Sequence, residues 1–175
     1  DVFFGSSKVS YYHHDMEGDM TLDNPPEDLD RAARKAHCYS QVLDSRQDSI
    51  GVTLATLAAP EVLPAIYHCS GGQGRTGLIT ALLLSIAEVP EDTIAEDYAL
   101  TARYQVDQYL TEDRPPVEIP AGYTLEAYLA EGCQPETMSL TLRHLKKHYG
   151  GVEDYVRGAG LDDAQQESLR QALVE

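Results

Sequence analysis

The sequence predicts an α/β fold: a central, mostly parallel sheet flanked by helices, with a helical cap and a helical C-terminal part. Three observations carry this expectation. The short run Ala65-Ile66-Tyr67-His68, placed after Pro64, suits a buried strand of a parallel sheet. A glycine-rich turn follows at once, and Leu78-Ile79-Thr80-Ala81-Leu82-Leu83-Leu84 then opens a helix that is apolar on most sides, as expected of one buried against a sheet. Beyond Pro90 the chain reads as helices separated by short loops.

Taken in order, residues 8–16 are rich in strand formers and read as a strand, followed by an acidic loop from Glu17 to Asn24. Asn24 before Pro25-Pro26 marks a helix start, because proline suits the first turn, and this helix is expected to reach about Leu43. A second helix spans about Asp48 to Ala59, with Ile50, Leu54 and Leu57 near helical spacing, and Pro60 ends it. The turn Ser70 to Gly74 leads into the apolar helix, which begins near Thr76. Pro90 with Glu91-Asp92 starts the next, to about Leu110. Pro115-Pro116 and Pro120 mark a loop, and a short helix runs from about Tyr123 to Ala130. Pro135-Glu136 begins another that closes with His144, Lys146, Lys147 and His148 before Gly150-Gly151, cations and glycine being the expected stop signals. Asp162-Asp163 with Gln165-Gln166 caps the last helix. Without an internal repeat or a low-complexity linker, one domain over residues 1–175 is expected, with a helical cap at about 91–130.

The composition narrows the class of function. The chain has 175 residues, 42% of them apolar and 24% charged, which is globular rather than disordered. Its 13 Lys and Arg against 29 Asp and Glu give a net charge of −16. That argues against nucleic acid, since no basic stripe is present to release counterions from phosphates. It also argues against docking on an anionic membrane surface, where basic residues give the attraction. The three cysteines, Cys38, Cys69 and Cys133, are too sparse for a disulfide framework and lack zinc-ligand spacing. A reducing, cytoplasmic setting is therefore expected. The chain starts at Asp1, which leaves room for a missing N-terminal segment and, with it, for secretion.

The chemistry concentrates in His68-Cys69-Ser70-Gly71-Gly72-Gln73-Gly74-Arg75-Thr76-Gly77. A cysteine leaves a strand, five small or flexible residues follow, and an arginine meets a helix N-terminus. Ser70, Gly71, Gly72, Gln73 and Gly74 are enough to wrap main-chain N–H groups around a tetrahedral oxyanion. Gly71, Gly72 and Gly74 permit the positive φ angles and close approach such a cradle needs. The helix adds its positive dipole end, and Arg75 supplies a two-pronged grip on phosphate oxygens that lysine would not reproduce. The same field lowers the pKa of Cys69 and makes it a thiolate nucleophile aimed at bound phosphorus. Thr76 donates to the sulfur and steadies it as a leaving group. A rival sits in the same residues: Gly72-x-Gly74-x-x-Gly77 matches a dinucleotide-binding fingerprint. That reading leaves Cys69 and Arg75 unexplained, and its ribose-binding acid, Glu96 or Asp97, would emerge from a helix rather than a second strand.

This segment resembles the His-Cys-x5-Arg-Ser/Thr signature of the cysteine-dependent protein tyrosine phosphatases. Ala95-Glu96-Asp97-Tyr98, Pro135-Glu136-Thr137-Met138 and Tyr149-Gly150-Gly151-Val152-Glu153 extend the likeness to the atypical bacterial members, the tyrosine/serine or triple-specificity phosphatases. The resemblance covers about residues 60–175 well and the first third loosely. It implies the cysteine-dependent phosphatase fold and hydrolysis of phosphomonoesters through a phosphocysteine, with no metal and no cofactor. The implied partner is a phosphorylated protein or a small phosphomonoester: phosphotyrosine first, then phosphoserine, phosphothreonine or phosphoinositide. It leaves the oligomeric state open. It also gives His68 the role of orienting the loop through nearby backbone.

There are departures. The family carries Lys-Asp before the arginine, and this chain has Gln73-Gly74. The missing acid is a proposed proton donor. A glycine there resembles lipid phosphatases that take their acid from an upstream loop. Asp15, Asp19 and Asp23 are the candidates here, and Asp23, in Asp23-Asn24-Pro25-Pro26, is favoured. The family's Arg-Asp-Leu-Gly-Gly segment is absent. A pseudophosphatase that binds phosphate without a working acid is the alternative. Cys38 and Cys133 are expected to be inert, with a resolving role for Cys133 in reversible oxidation as the lesser alternative. Tyr98, Tyr104 and Tyr109 are expected to pack against neighbours, with Tyr104 or Arg103 as candidate substrate contacts from a lid.

Overall fold

The computed structural model describes residues 8–111, 119, 121–122 and 124–174. The loop expected at Pro115-Pro116 and Pro120, and the side chain of Tyr109, lie outside these. Eight helices occur among the described residues: α1 Arg31–Ser45, α2 Gln47–Ala58, α3 Gly74–Ile86, α4 Glu91–Thr111, α5 Leu125–Gly132, α6 Pro135–Tyr149, α7 Val152–Gly158 and α8 Asp163–Val174.

No strand occurs among the described residues, so the expected central parallel sheet is corrected to a helical assembly. Residues 65–68, expected as a buried strand, have no regular structure, and Ile66 is 93% exposed. Residues 8–16 are also irregular, with Val9, Tyr11 and Tyr12 exposed. The physical reason is that strand propensity measures fit to a sheet surface and means little without a paired neighbour. Among the described residues, the four that follow Pro64 have no strand beside them on which to lay their backbone groups.

What the expected sheet would have covered, helices cover. α3 is apolar all round, and it is packed by α2, α4, α7 and α8. Leu78, Leu82 and Ile86 of α3 are buried with Leu43, Ile50, Leu54, Ile94, Met138, Leu145 and Tyr155 in one core. An all-round apolar helix must be surrounded, but its pattern does not say by what. Two glycines set the closest approaches. A Cβ on Gly51 would lie 1.9 Å from the Ala159 carbonyl oxygen, so α2 rests directly on the backbone between α7 and α8. A Cβ on Gly77 would lie 3.0 Å from the Tyr98 ring, which lets α4 close on α3 beside the turn of interest.

Boundaries moved where capping chemistry competes with proline. α1 starts at Arg31 rather than at Pro25, because Asp30 Oδ1 accepts the Ala33 N–H at 2.8 Å and caps it there. The Pro25-Pro26 segment forms a turn instead, with Leu29 N–H donating to the Pro26 carbonyl. α7 is additional to the expected elements. Gly150, at φ +89°, ends α6, and Gly151 then serves as the N-cap of α7. Tyr155 of α7 is fully buried, its hydroxyl donating to the Leu43 carbonyl at 2.8 Å. No helix among the described residues is long and apolar enough to cross a membrane.

Candidate active site

The loop 69–75 joins irregular chain to the N-terminus of α3, which begins at Gly74. Gln73 is its N-cap residue, and its carbonyl accepts the Gly77 N–H at 3.0 Å. The first main-chain N–H groups of α3 have no partner inside the helix, and that of Thr76 turns back to the Cys69 sulfur. Of the three loop glycines, only Gly72 uses the left-handed region, at φ +65°. Gly74 lies beside the Tyr39 ring, which a Cβ there would touch at 3.4 Å, an ordinary contact.

Cys69 is half-buried, and its N–H donates to Thr76 Oγ1 at 2.9 Å. Burial is the largest single influence on its thiol and acts to raise the pKa. Hydrogen bonds to the sulfur from the Thr76 hydroxyl and from the N–H groups of Thr76, Gly71 and Gly72 together outweigh it and bring the thiol down to about 7. Thr76 is itself braced: Thr80 Oγ1 donates to the Thr76 carbonyl at 2.9 Å, and Tyr67 shares a 2.8 Å hydrogen bond with Thr80. His68 Nδ1–H donates to the Cys69 carbonyl at 2.9 Å.

Arg75 spans the loop, its Nη2 donating to Ser70 Oγ at 3.1 Å. Its Nη1 forms an ion pair with Glu17 Oε1 at 3.0 Å. Two further glutamines tie the loop to its surroundings. Gln105 of α4 donates to the Gly71 carbonyl at 2.9 Å. Gln73 donates to the Gly132 carbonyl at 3.0 Å and to Cys133 Sγ. Lys35 also donates to the Gly132 carbonyl. A loop of main-chain donors, a low-pKa sulfur and a guanidinium can bind an oxyanion and present a nucleophile to it.

The structure gathers Gly71, Gly72 and Thr76 around the Cys69 sulfur as one hydrogen-bonded group and joins Ser70 to Arg75 in the same loop. It does not bring the upstream aspartates into that group. Asp15 Oδ1 accepts the N–H groups of Glu17 and Gly18, which holds its carboxyl below the usual range, with the Gly18 bond the larger influence. The described contacts of Asp23 are main-chain ones: its N–H donates to Gln41 Oε1 at 2.6 Å, and its carbonyl accepts from Gln41 Nε2 at 3.1 Å. Asp19 is exposed. Among the described residues, the upstream carboxylate that reaches the loop is Glu17, which in the sequence lies inside an undifferentiated acidic stretch. Its only signal was position, two residues beyond Asp15 and one before a glycine.

Cys133 is buried, and burial pushes its thiol up, partly offset by Gln73 and Lys35. Tyr98, expected to pack, is buried and shares a 2.9 Å hydrogen bond with Tyr39, whereas Tyr104, a lid candidate, is exposed. Arg103 lines a cavity between α4, α5 and α6. The contrast between the thiols gives a prediction. Iodoacetamide should modify Cys69 first, at a rate that rises through a midpoint near pH 7 as the thiolate forms, while Cys133 stays unmodified in the folded chain. Peptide mass mapping across pH checks this. Modification of Cys133 ahead of Cys69 would contradict it.

A model of the tyrosine phosphatase family matches residues 5–175. A tyrosine-protein phosphatase of Nostoc commune is 28% identical over 145 residues, covering 77% of this chain and 47% of that protein. The triple specificity protein phosphatase PtpB of Mycobacterium tuberculosis is 25% identical over 121 residues, covering 63% of this chain and 44% of that protein. The chain thus spans about half the length of the curated relatives it matches. With the family model covering nearly every residue and the Cys69–Arg75 loop lying inside the matched region, the chain belongs to the tyrosine phosphatase family.

Proposed function

We propose that the chain hydrolyses phosphomonoesters through a phosphocysteine, with phosphotyrosine as its main substrate. Phosphoserine, phosphothreonine or a phosphoinositide are further substrates in this reading, in line with the words triple specificity in the name of one relative. The observation that carries it is the pairing of a thiol lowered to about 7 with a guanidinium that closes the same loop.

In the first step the Cys69 thiolate attacks phosphorus, the bond from phosphorus to the leaving oxygen breaks, and a carboxylic acid protonates that oxygen. In the second, water attacks phosphorus, the P–S bond breaks, the thiolate returns, and the carboxylate takes the proton from water. Arg75 and the N–H groups of residues 70–74 hold the equatorial oxygens. Thr76 stabilises the sulfur in both steps, and His68 orients the loop through the Cys69 carbonyl. Asp23 is the proposed acid. Its backbone is clamped by Gln41 of α1, and its side chain is exposed. α4 and α5 act as the cap of a single domain, tied to the loop through Gln105 and Gln73. A reducing, cytoplasmic setting, which keeps a low-pKa thiol reduced, completes the reading.

A substrate panel tests it. Asp23→Asn should lower kcat/KM for phosphotyrosine about 10²–10⁴-fold, the usual contribution of a general acid, and leave kcat/KM for p-nitrophenyl phosphate nearly unchanged, because that ratio reports the first step and p-nitrophenolate leaves with little need of a proton. Equal effects on both substrates would remove Asp23 from the acid role. A parent chain that turns over p-nitrophenyl phosphate but no phosphotyrosine would instead be the pseudophosphatase that Gly74, in place of the family acid, suggests.

A further inference from the structure

We infer that Glu17 is a positioning residue for Arg75, presented by a turn that Asp15, Gly18 and Arg46 build; the inference rests on the phosphatase reading above. The guanidinium of Arg75 is anchored at two corners. Nη2 donates to Ser70 Oγ at 3.1 Å, within its own loop, and Nη1 meets Glu17 Oε1 at 3.0 Å, from a segment more than fifty residues upstream. One anchor alone would let the guanidinium plane swing about the Ser70 bond. Two anchors on different nitrogens fix the plane, and a two-pronged grip on an oxyanion depends on that plane.

The presentation of Glu17 is built rather than incidental. Asp15 Oδ1 accepts the N–H of Glu17 at 2.9 Å and of Gly18 at 2.8 Å, closing a turn over Met16. Gly18 sits at φ +53°, where a side chain is strained, and a Cβ there would lie 2.8 Å from Arg46 Nη1. Arg46 Nη2 donates to the Asp15 carbonyl and to Ser49 Oγ, each at 2.9 Å. Arg46 is the residue between α1 and α2, so the turn is bolted to the junction of two core helices. The route of contact is continuous: helix junction, Arg46, turn 15–18, Glu17, Arg75. The Glu17–Arg75 pair is 63% and 32% exposed, and an ion pair so open to solvent contributes little to stability. Its support by so much structure therefore points to orientation.

The opposite role predicts the opposite sign. A carboxylate that merely filled the anion grip would repel an incoming dianion, and its removal would tighten phosphate binding. A rigid turn suits a permanent brace better than a displaceable plug.

The test compares the full chain with Glu17→Gln and Gly18→Ala, using p-nitrophenyl phosphate kinetics and the affinities for orthovanadate and for inorganic phosphate. Glu17→Gln should lower kcat about tenfold with a smaller change in KM, and weaken vanadate, which mimics the five-coordinate state, by a similar factor. Gly18→Ala, which keeps the carboxylate but loosens its turn, should move both in the same direction by less. The midpoint of Cys69 alkylation should stay near pH 7 in both, since the thiol is set by Thr76 and loop amides. Parent-like kcat and vanadate affinity in Glu17→Gln would overturn the inference, as would tighter phosphate binding at unchanged kcat. If the parent chain itself turns over nothing, the phosphatase reading fails, and the vanadate comparison alone decides on Glu17. A chain that also binds neither oxyanion overturns both.

Discussion

Cys69→Ser should reduce p-nitrophenyl phosphate turnover about 10⁴-fold or more, the scale on which loss of a nucleophile acts. The substitution is nearly isosteric, and the bond that seats the residue is a main-chain one, Cys69 N–H to Thr76 Oγ1, which serine keeps. Its thermal unfolding should therefore match that of the parent chain. The chemistry changes completely. The donors that bring the thiol to about 7, the Thr76 hydroxyl and the N–H groups of Thr76, Gly71 and Gly72, cannot make an alkoxide of a serine at neutral pH. The same donors are then free for the oxyanion. Thiolate and phosphate compete for one set of positive groups, so the variant should bind inorganic phosphate as tightly as the parent or more tightly. Calorimetry with phosphate beside a turnover assay separates the two effects. Substantial remaining turnover would exclude Cys69 as the nucleophile. Lost phosphate binding in a folded variant would exclude the loop as the oxyanion site.

The site was legible where its parts are close in sequence. Residues 68–76 make their cradle with one another: Cys69 with Thr76, Arg75 with Ser70, His68 with the Cys69 carbonyl. Their spacing alone requires that they meet. Glu17 was not legible, because its partner is Arg75 and nothing local distinguishes it from Asp15 or Asp19. Asp15 illustrates the converse: a carboxylate that reads as a candidate acid is taken up by a turn, accepting two backbone N–H groups. The same division holds in the fold. α6, with Pro135 at its start and Gly150 at its end, matches its expected span, whereas α1, capped by Asp30, starts at Arg31 and not at Pro25. The sheet expectation rests on α3, whose all-round apolar surface says that it is enclosed but not by which elements, and on a four-residue run that pairs with no strand among the described residues. A strand is a property of two segments, whereas most of a helix is written in one.

Arg75→Lys should lower kcat about 10²–10³-fold, comparable with removal of an oxyanion donor elsewhere, and raise KM as well. Charge is conserved, so the loss reports geometry. In the parent, Arg75 reaches Ser70 with Nη2 and Glu17 with Nη1, which sets a planar group across the loop. A lysine ammonium is a point charge on a flexible stem. It can meet one of those partners at a time, and it has no second parallel N–H for a phosphate oxygen. The nucleophile should survive intact, because the hydrogen bonds that lower the Cys69 thiol come from Thr76, Gly71 and Gly72. Arg75→Lys should therefore keep the alkylation midpoint near pH 7 while losing turnover and vanadate affinity. That combination assigns thiolate formation to the loop and helix N-terminus, and transition-state binding to the guanidinium. A midpoint that moved well above 7 together with kcat would instead mean that Arg75 sets the charge of the sulfur, and the two functions would not be separable in this loop.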